Sequence, residues 1–258
     1  MSILAHANAQ MAREEAVFGV PVEGCGLDEA VTRVTEERRG ALWIVTANPE
    51  ILLLANRDHT YVDLLRQADL RTVDGFGLWL MLRFVGRKTS RVTGVELAER
   101  LVREAADRSW RVALIGGAEG IAQEAARQLQ RRYPLLTILA EQGGTISLNG
   151  DDDERGEEAR HRLTFFDPDL LLVAFGHPRQ DFWIKQHASE FPNLKTVVGV
   201  GGTFDFWSGK AKRAPHHFQR LGLEWLWRLF REPRRVKRIW NAVVVFPVVF
   251  VLSRIKRS

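Results

Sequence analysis

Two kinds of segment alternate along the first 200 residues. Runs rich in apolar and β-branched residues at 41–47 (ALWIVTA), 70–73, 110–115, 135–140, 170–175 and 195–200 predict strands. Runs apolar at nearly every position, rather than at every second one, predict strands buried on both faces. Between them, 49–58 predicts a helix with Pro49 in its first turn, and 76–85 predicts another. Helical spacing of Val95, Ala98, Leu101, Val102 and Ala105 predicts a helix over 94–108. Further helices are predicted over 119–132, 151–165 and 178–187. Continuous strands separated by helices predict an α/β fold, a parallel sheet sandwiched by helices. No internal repeat is visible.

The last fifty residues follow another pattern. Segment 218–230 (FQRLGLEWLWRLF) is aromatic-rich with helical spacing, and Glu232-Pro233 breaks it. Segment 234–240 is basic. Residues 242–252 (AVVVFPVVFVL) are 11 apolar residues containing Pro247, followed by Arg254, Lys256 and Arg257. A spanning helix needs about 20 apolar residues, so this run predicts no conventional transmembrane helix. Apolar surface flanked by cations suits shallow insertion at an anionic bilayer. A buried terminal helix or a contact between copies in a homo-oligomer is the alternative.

Charge sharpens this division. The net charge is +5, but residues 209–258 carry 13 Lys and Arg against two acids, while the rest carries 24 bases and 30 acids. An acidic body, 1–208, thus bears a basic appendage, 209–258, that calls for an anion. With 45% hydrophobic and 27% charged residues in 258, disorder and low-complexity architectures are excluded. The single cysteine, Cys25, excludes an internal disulfide framework or a cysteine metal cluster. The start MSILAHANAQ has no basic segment followed by an apolar run, so no secretory signal is expected.

In parallel sheets ligands bind beyond the carboxyl ends of the strands. Residues just past the predicted strands are therefore candidates: Thr46 and Asn48; Asp74, Gly75 and Gly77; Gly116, Gly117 and Gly120; Gly176, His177 and Gln180; Gly201, Gly202, Thr203 and Asp205. Asp74 there is either a general base or the N-cap of the helix that follows. Thr46 and Asn48 either bind a polar ligand or cap the Pro49 helix. The GGAEG turn at 116–120, with Glu141 ending the next strand, suggests a nicotinamide-dependent oxidoreductase as a rival reading. Its glycine spacing differs from the dinucleotide fingerprint. Asp167-Pro168-Asp169 resembles a metal-binding DxD, but it precedes its strand and so reads as a turn. No zinc-binding histidine spacing occurs, and neither a metal nor another cofactor is expected. Arg228, Arg231, Arg235 and Arg238 recur at steps of three or four, a set able to neutralise a diphosphate. A nucleic-acid binder using the basic tail is a further rival, disfavoured by the apolar run beyond it.

Taken together, TANPEILLLA, DGFGLWL, RVTGVEL, LIGGAEG, AFGHPRQDFWI and VGVGGTFDFWSGKAKRAPHHFQRLGLEWLWRLFREPRR, in that order, resemble the WecG/TagA/CpsF glycosyltransferases (glycosyltransferase family 26), from about Phe18 to Arg238. The resemblance implies a Rossmann-like core with a C-terminal appendage that docks on membrane. It implies an inverting, metal-independent transfer of a sugar from a UDP-sugar donor to a polyprenyl-diphosphate-linked sugar acceptor. The sugar would be of the N-acetylmannosamine, N-acetylmannosaminuronic acid or glucose type. The protein would then be cytoplasmic and peripheral on the inner face of the bacterial plasma membrane, serving envelope or exopolysaccharide synthesis. By motif, Asp74 corresponds to the catalytic base. Thr46, Asn48, Arg91 and Gln180 correspond to substrate-pocket residues, and Arg228, Arg235 and Arg238 to arginines that meet the diphosphate. The chain departs from the family pattern at Glu96, usually Asp, and at Asp181, usually Glu.

Overall fold

A computed structural model describes residues 16–36, 40–215, 217–218, 224–231 and 236–255. A short antiparallel hairpin, β1 (Ala16–Val17) and β2 (Val20–Pro21), comes first. The strands β3 (Leu42–Ala47), β4 (Leu70–Val73), β5 (Val112–Gly116), β6 (Ile138–Glu141), β7 (Leu170–Ala174) and β8 (Thr196–Gly199) form one parallel sheet, ordered β4-β3-β8-β7-β5-β6. The described helices are α1 (Leu27–Thr35), α2 (Pro49–Ala55), α3 (His59–Arg66), α4 (Phe76–Phe84), α5 (Gly94–Asp107), α6 (Ile121–Arg132), α7 (Glu154–Phe166), α8 (Arg179–His187), α9 (Thr203–Trp207), α10 (Glu224–Arg231), α11 (Val236–Trp240) and α12 (Phe246–Ile255).

The unbroken apolar strands are explained by register. One paired row crosses the sheet through Leu70, Ile44, Val198, Leu172, Leu114 and Ala140. Its apolar side chains pack against Ala30, Val31 and Val34 of α1, Leu97 and Leu101 of α5, and Ala122 and Leu129 of α6. In the next row, Val45, Val173 and Ile115 face the opposite layer. That layer holds Leu52 of α2, Tyr61 and Leu65 of α3, Leu78 and Leu82 of α4, and Trp183 of α8. Because both faces are covered, every position of β3, β4, β5, β7 and β8 is buried.

The expected three layers are present, and strand order refines the expectation. Numbered along the chain, the sheet strands run 2-1-6-5-3-4. This differs from the 3-2-1-4-5-6 order of dinucleotide-binding domains. Helices α1 and α3 and the β1–β2 hairpin were not anticipated. The strand expected at 135–140 starts later, because Leu135 belongs to an exposed turn.

The tail requires a correction. The run at 242–252 is not an isolated 11-residue segment but part of a continuous helix, Val236–Ile255, of 20 residues. By length and composition that helix is long and apolar enough to span a bilayer. Continuity past Pro247 depends on a π-turn at Asn241–Val245 joining α11 to α12. A proline ring clashes with the carbonyl four residues back, here Val243, and a π-turn opens the backbone at that point. The helix does not stand clear of the core. Phe246 and Phe250 are fully buried in the same cluster as Leu78 and Leu82, and Phe246 meets the Phe18 ring edge-on at 5.9 Å. The turn approaches so closely that a Cβ on Gly77 would lie 3.0 Å from the Ala242 carbonyl oxygen. Phe246→Ala should therefore cost about 3–5 kcal/mol, measured by urea denaturation of the full chain.

Candidate active site

The carboxyl ends of β3, β4, β7 and β8 open into one cleft of about 930 Å³. Thr46, Asn48, Asp74, Arg91 and Gln180 all line it, together with Arg238 and Trp225 from the tail. Six of the eight expected site residues are thus brought together. Arg228 lies on α10 with its side chain outside the described residues, and Arg235 lies outside them altogether.

Asp74 ends β4, and its backbone N–H donates to the Ala47 carbonyl at 2.7 Å, tying it to the tip of β3. It is not the N-cap of α4. Gly75 holds that place at φ +84°, a conformation that turns the chain sharply and that glycine adopts without strain. The Asp74 carboxylate instead accepts from the Gly94 N–H at 3.2 Å, so the positive end of the 14-residue helix α5 faces it. Gly94 packs close to both residues: a Cβ there would sit 3.3 Å from Thr46 Oγ1 and 3.7 Å from Asp74 Oδ2. Thr46 is buried, and its hydroxyl donates to the Gly199 carbonyl at 3.3 Å.

Asn48 answers both sequence readings. Its Oδ1 caps α2 by accepting from the Glu50 and Ile51 N–H groups at 3.0 and 3.1 Å, while the residue lines the cleft. The NH2 end of the amide takes no part in the cap. Gln180 is buried against Gly199, where an added Cβ would come within 2.5 Å of its Nε2. Its buried Oε1 has no hydrogen-bond partner among the described residues. An orphaned acceptor in a cleft wall is satisfied by a ligand donor or by water.

Two further cleft residues were missed. Glu50, in the first turn of α2, accepts from Arg238 Nε at 2.8 Å and Nη2 at 2.6 Å, a two-pronged ion pair joining the tail to the cleft rim. His177 Nε2 lies 3.8 Å from the same carboxylate. Burial holds the His177 pKa below its ordinary value; Glu50 opposes this and Arg238 reinforces it. Trp225, from α10, is the second. The only sequence signal for Glu50 was its place after the capping Asn48-Pro49.

Other candidates resolve as structural. Gly116 is at φ +104°, and a Cβ there would lie 2.8 Å from the Ala174 carbonyl carbon, so this glycine allows β5 to approach β7. Glu141 is held by Arg162 at 2.8 Å and does not line the cleft, which removes the ribose-binding acid from the oxidoreductase reading. Asp167 and Asp169 engage Arg111 and Lys195 at the amino ends of the strands, far from the cleft. Among the described residues, no group of three or more His, Cys, Asp or Glu is placed to hold a metal ion.

A sequence profile of the WecG/TagA/CpsF glycosyl transferase family matches residues 15–258. The chain belongs to this family. A similar protein is an N-acetylglucosaminyldiphosphoundecaprenol N-acetyl-beta-D-mannosaminyltransferase of Bacillus spizizenii, 34% identical over 209 residues, covering 81% of this chain and 78% of the relative. A protein of the same name from Staphylococcus aureus is 31% identical over 218 residues, covering 84% and 82%.

In this WecG/TagA/CpsF member neither Glu96 nor Asp181 lines the cleft. Glu96 forms a capping box with Thr93 at the start of α5 and meets Arg213 at 3.5 Å. Asp181 points into the core, where it accepts from the Tyr61 hydroxyl at 2.6 Å. Burial lifts its pKa from 3.8 to about 7, against the opposing effect of that hydrogen bond. A raised acid favours the folded state below its unfolded pKa, and that contribution is lost as pH rises through the folded value. Asp181→Asn, which keeps the acceptor for Tyr61 but cannot ionise, should melt higher than wild type at pH 8. The difference should shrink toward pH 4–5, as read by thermal denaturation across that range.

Proposed function

We infer that this protein transfers a sugar of the N-acetylmannosamine type from a UDP-sugar to a polyprenyl-diphosphate-linked N-acetylglucosamine, with inversion, at the inner face of the plasma membrane. One observation carries the reading: a single cleft gathers Asp74 from the core and Arg238 from the far end of the chain. The activity for which both relatives are named supports the choice of sugar and acceptor.

In this mechanism the acceptor hydroxyl lies beside Asp74, which takes its proton as the oxygen attacks the anomeric carbon. The bond to UDP breaks on the opposite face, and one displacement inverts the centre. Thr46, Asn48, Arg91 and Gln180 hold the substrate pocket, with the Gln180 Oε1 accepting from a sugar hydroxyl or amide. Negative charge grows on the departing diphosphate. Arg238, with Arg228 and Arg235 from the same basic segment, supplies the compensating positive charge. Glu50 takes Nε and Nη2 of Arg238 and so fixes the guanidinium at the cleft rim. Residues 209–258 act as the membrane appendage. Removing them whole would also strip Phe246 and Phe250 from the core, so point substitutions are the cleaner test.

A donor screen against synthetic lipid-diphosphate-N-acetylglucosamine, read by mass spectrometry, should select UDP-N-acetylmannosamine; transfer of glucose alone would overturn the sugar assignment. Asp74→Asn should abolish turnover in that assay while UDP binding by calorimetry persists, and wild-type turnover would remove Asp74 as the base. Arg238→Ala should lower kcat by about 10²–10³. Wild-type turnover should be unchanged by EDTA, whereas an absolute requirement for added Mg²⁺ or Mn²⁺ would refute charge compensation by arginine.

A further inference from the structure

Helix α4 has the wrong outer face for a soluble core. Leu78 and Leu82 point inward and are fully buried, as the packing requires. On its other side Leu80 is 43% exposed and Phe84 77%, and Val85 extends the apolar surface past the helix end. Helices α1 and α6, by contrast, expose ion pairs, Arg33–Glu29 and Arg127–Glu124. A helix apolar all round is buried in protein or meets lipid.

The helix packed beside α4 has the same character. While Phe246 and Phe250 of α12 enter the core, Val248, Val251, Leu252 and Ile255 remain exposed. Charge identifies what covers these faces. Residues 75–95 contain four cations and no acid, and residues 233–258 contain seven cations and no acid. Arg83 and Lys88 border the α4 face, and Arg254 lies over the Phe250 ring at the end of α12. A second copy seated here by a two-fold axis would bring like charges together. An anionic bilayer takes apolar side chains into its boundary and pairs the cations with headgroups.

We propose that α4 of the core is part of the membrane-binding face, Leu80, Phe84 and Val85 entering an anionic bilayer alongside the exposed side of α12. This rests on the membrane-borne acceptor of the function above and adds a core element to the appendage. It has a geometric consequence. Asp74 stands two residues before α4, and Phe84 ends it. At 1.5 Å per residue α4 rises about 12 Å from Phe76 to Phe84, so one short helix links the base to the lipid contact.

The test uses the full chain and vesicles of phosphatidylglycerol with phosphatidylethanolamine, against phosphatidylcholine alone. Wild type should co-sediment with the anionic vesicles. Leu80→Gln/Phe84→Ser should weaken that partition by on the order of tenfold. Arg83→Glu/Lys88→Glu, which leaves the buried Leu78 and Leu82 in place, should weaken it on anionic vesicles with little change on phosphatidylcholine. Both variants should keep wild-type turnover on a short-chain, water-soluble acceptor. Unchanged partition of both folded variants would overturn the proposal even if turnover is normal. Absence of turnover in wild type would instead strike the function while leaving partition readable. A wild-type dimer that Leu80→Gln/Phe84→Ser splits, with vesicle binding intact, would assign the face to a second copy and overturn the bilayer.

Discussion

Parallel pairing is the constraint on which the rest depends. When every strand of a sheet runs the same way, all six carboxyl ends emerge at one edge, and loops far apart in sequence are delivered to one place. Thr46, Asp74, Gln180 and the Gly199 carbonyl meet for this reason alone. The same geometry sends Asp167 and Asp169 to the opposite edge, where they hold Arg111 and Lys195. An acidic motif can mimic a metal site in sequence and be excluded by strand direction.

The fold was largely legible because a strand buried on both faces carries few polar positions to obscure it; β4, with Arg71 and Thr72 buried, is the exception. ALWIVTA and its counterparts could hardly be anything else. Amphipathic helices such as α5 were equally plain, since Leu97, Leu101 and Ala105 face the sheet. What escaped detection was short or mixed. Helix α3 is only eight residues long, with Asp63 between its buried Tyr61 and Leu65, and the two-residue strands β1 and β2 have no pattern to read. Strand order was not legible at all, because sequence spacing says which elements exist and not which neighbours they choose.

The site was legible at its strand ends and illegible at its long-range contacts. Asp74 could be placed at the tip of a strand, but its turn away from α4 toward Gly94 follows from the positive φ of Gly75 and the close packing of α5. Glu50 and Arg238 are 188 residues apart, and nothing local to either announces the pair. Asp181 shows the converse. Sequence placed it next to Gln180 and hence beside the chemistry, yet one step along α8 rotates it out of the cleft and into the core against Tyr61.

The π-turn at Asn241–Val245 sets the rotational phase of the tail. In an uninterrupted α-helix, each residue advances about 100°, which would leave Arg238 roughly 80° from Phe246 and 120° from Phe250. Absorbing one residue in the wider turn brings Arg238 to within about 20° of both. A single helix can then seat two aromatic anchors in the protein core and bring a guanidinium to the cleft rim from the same azimuth. A one-residue deletion in this stretch would leave its composition almost unchanged and swing the cation a quarter-turn aside.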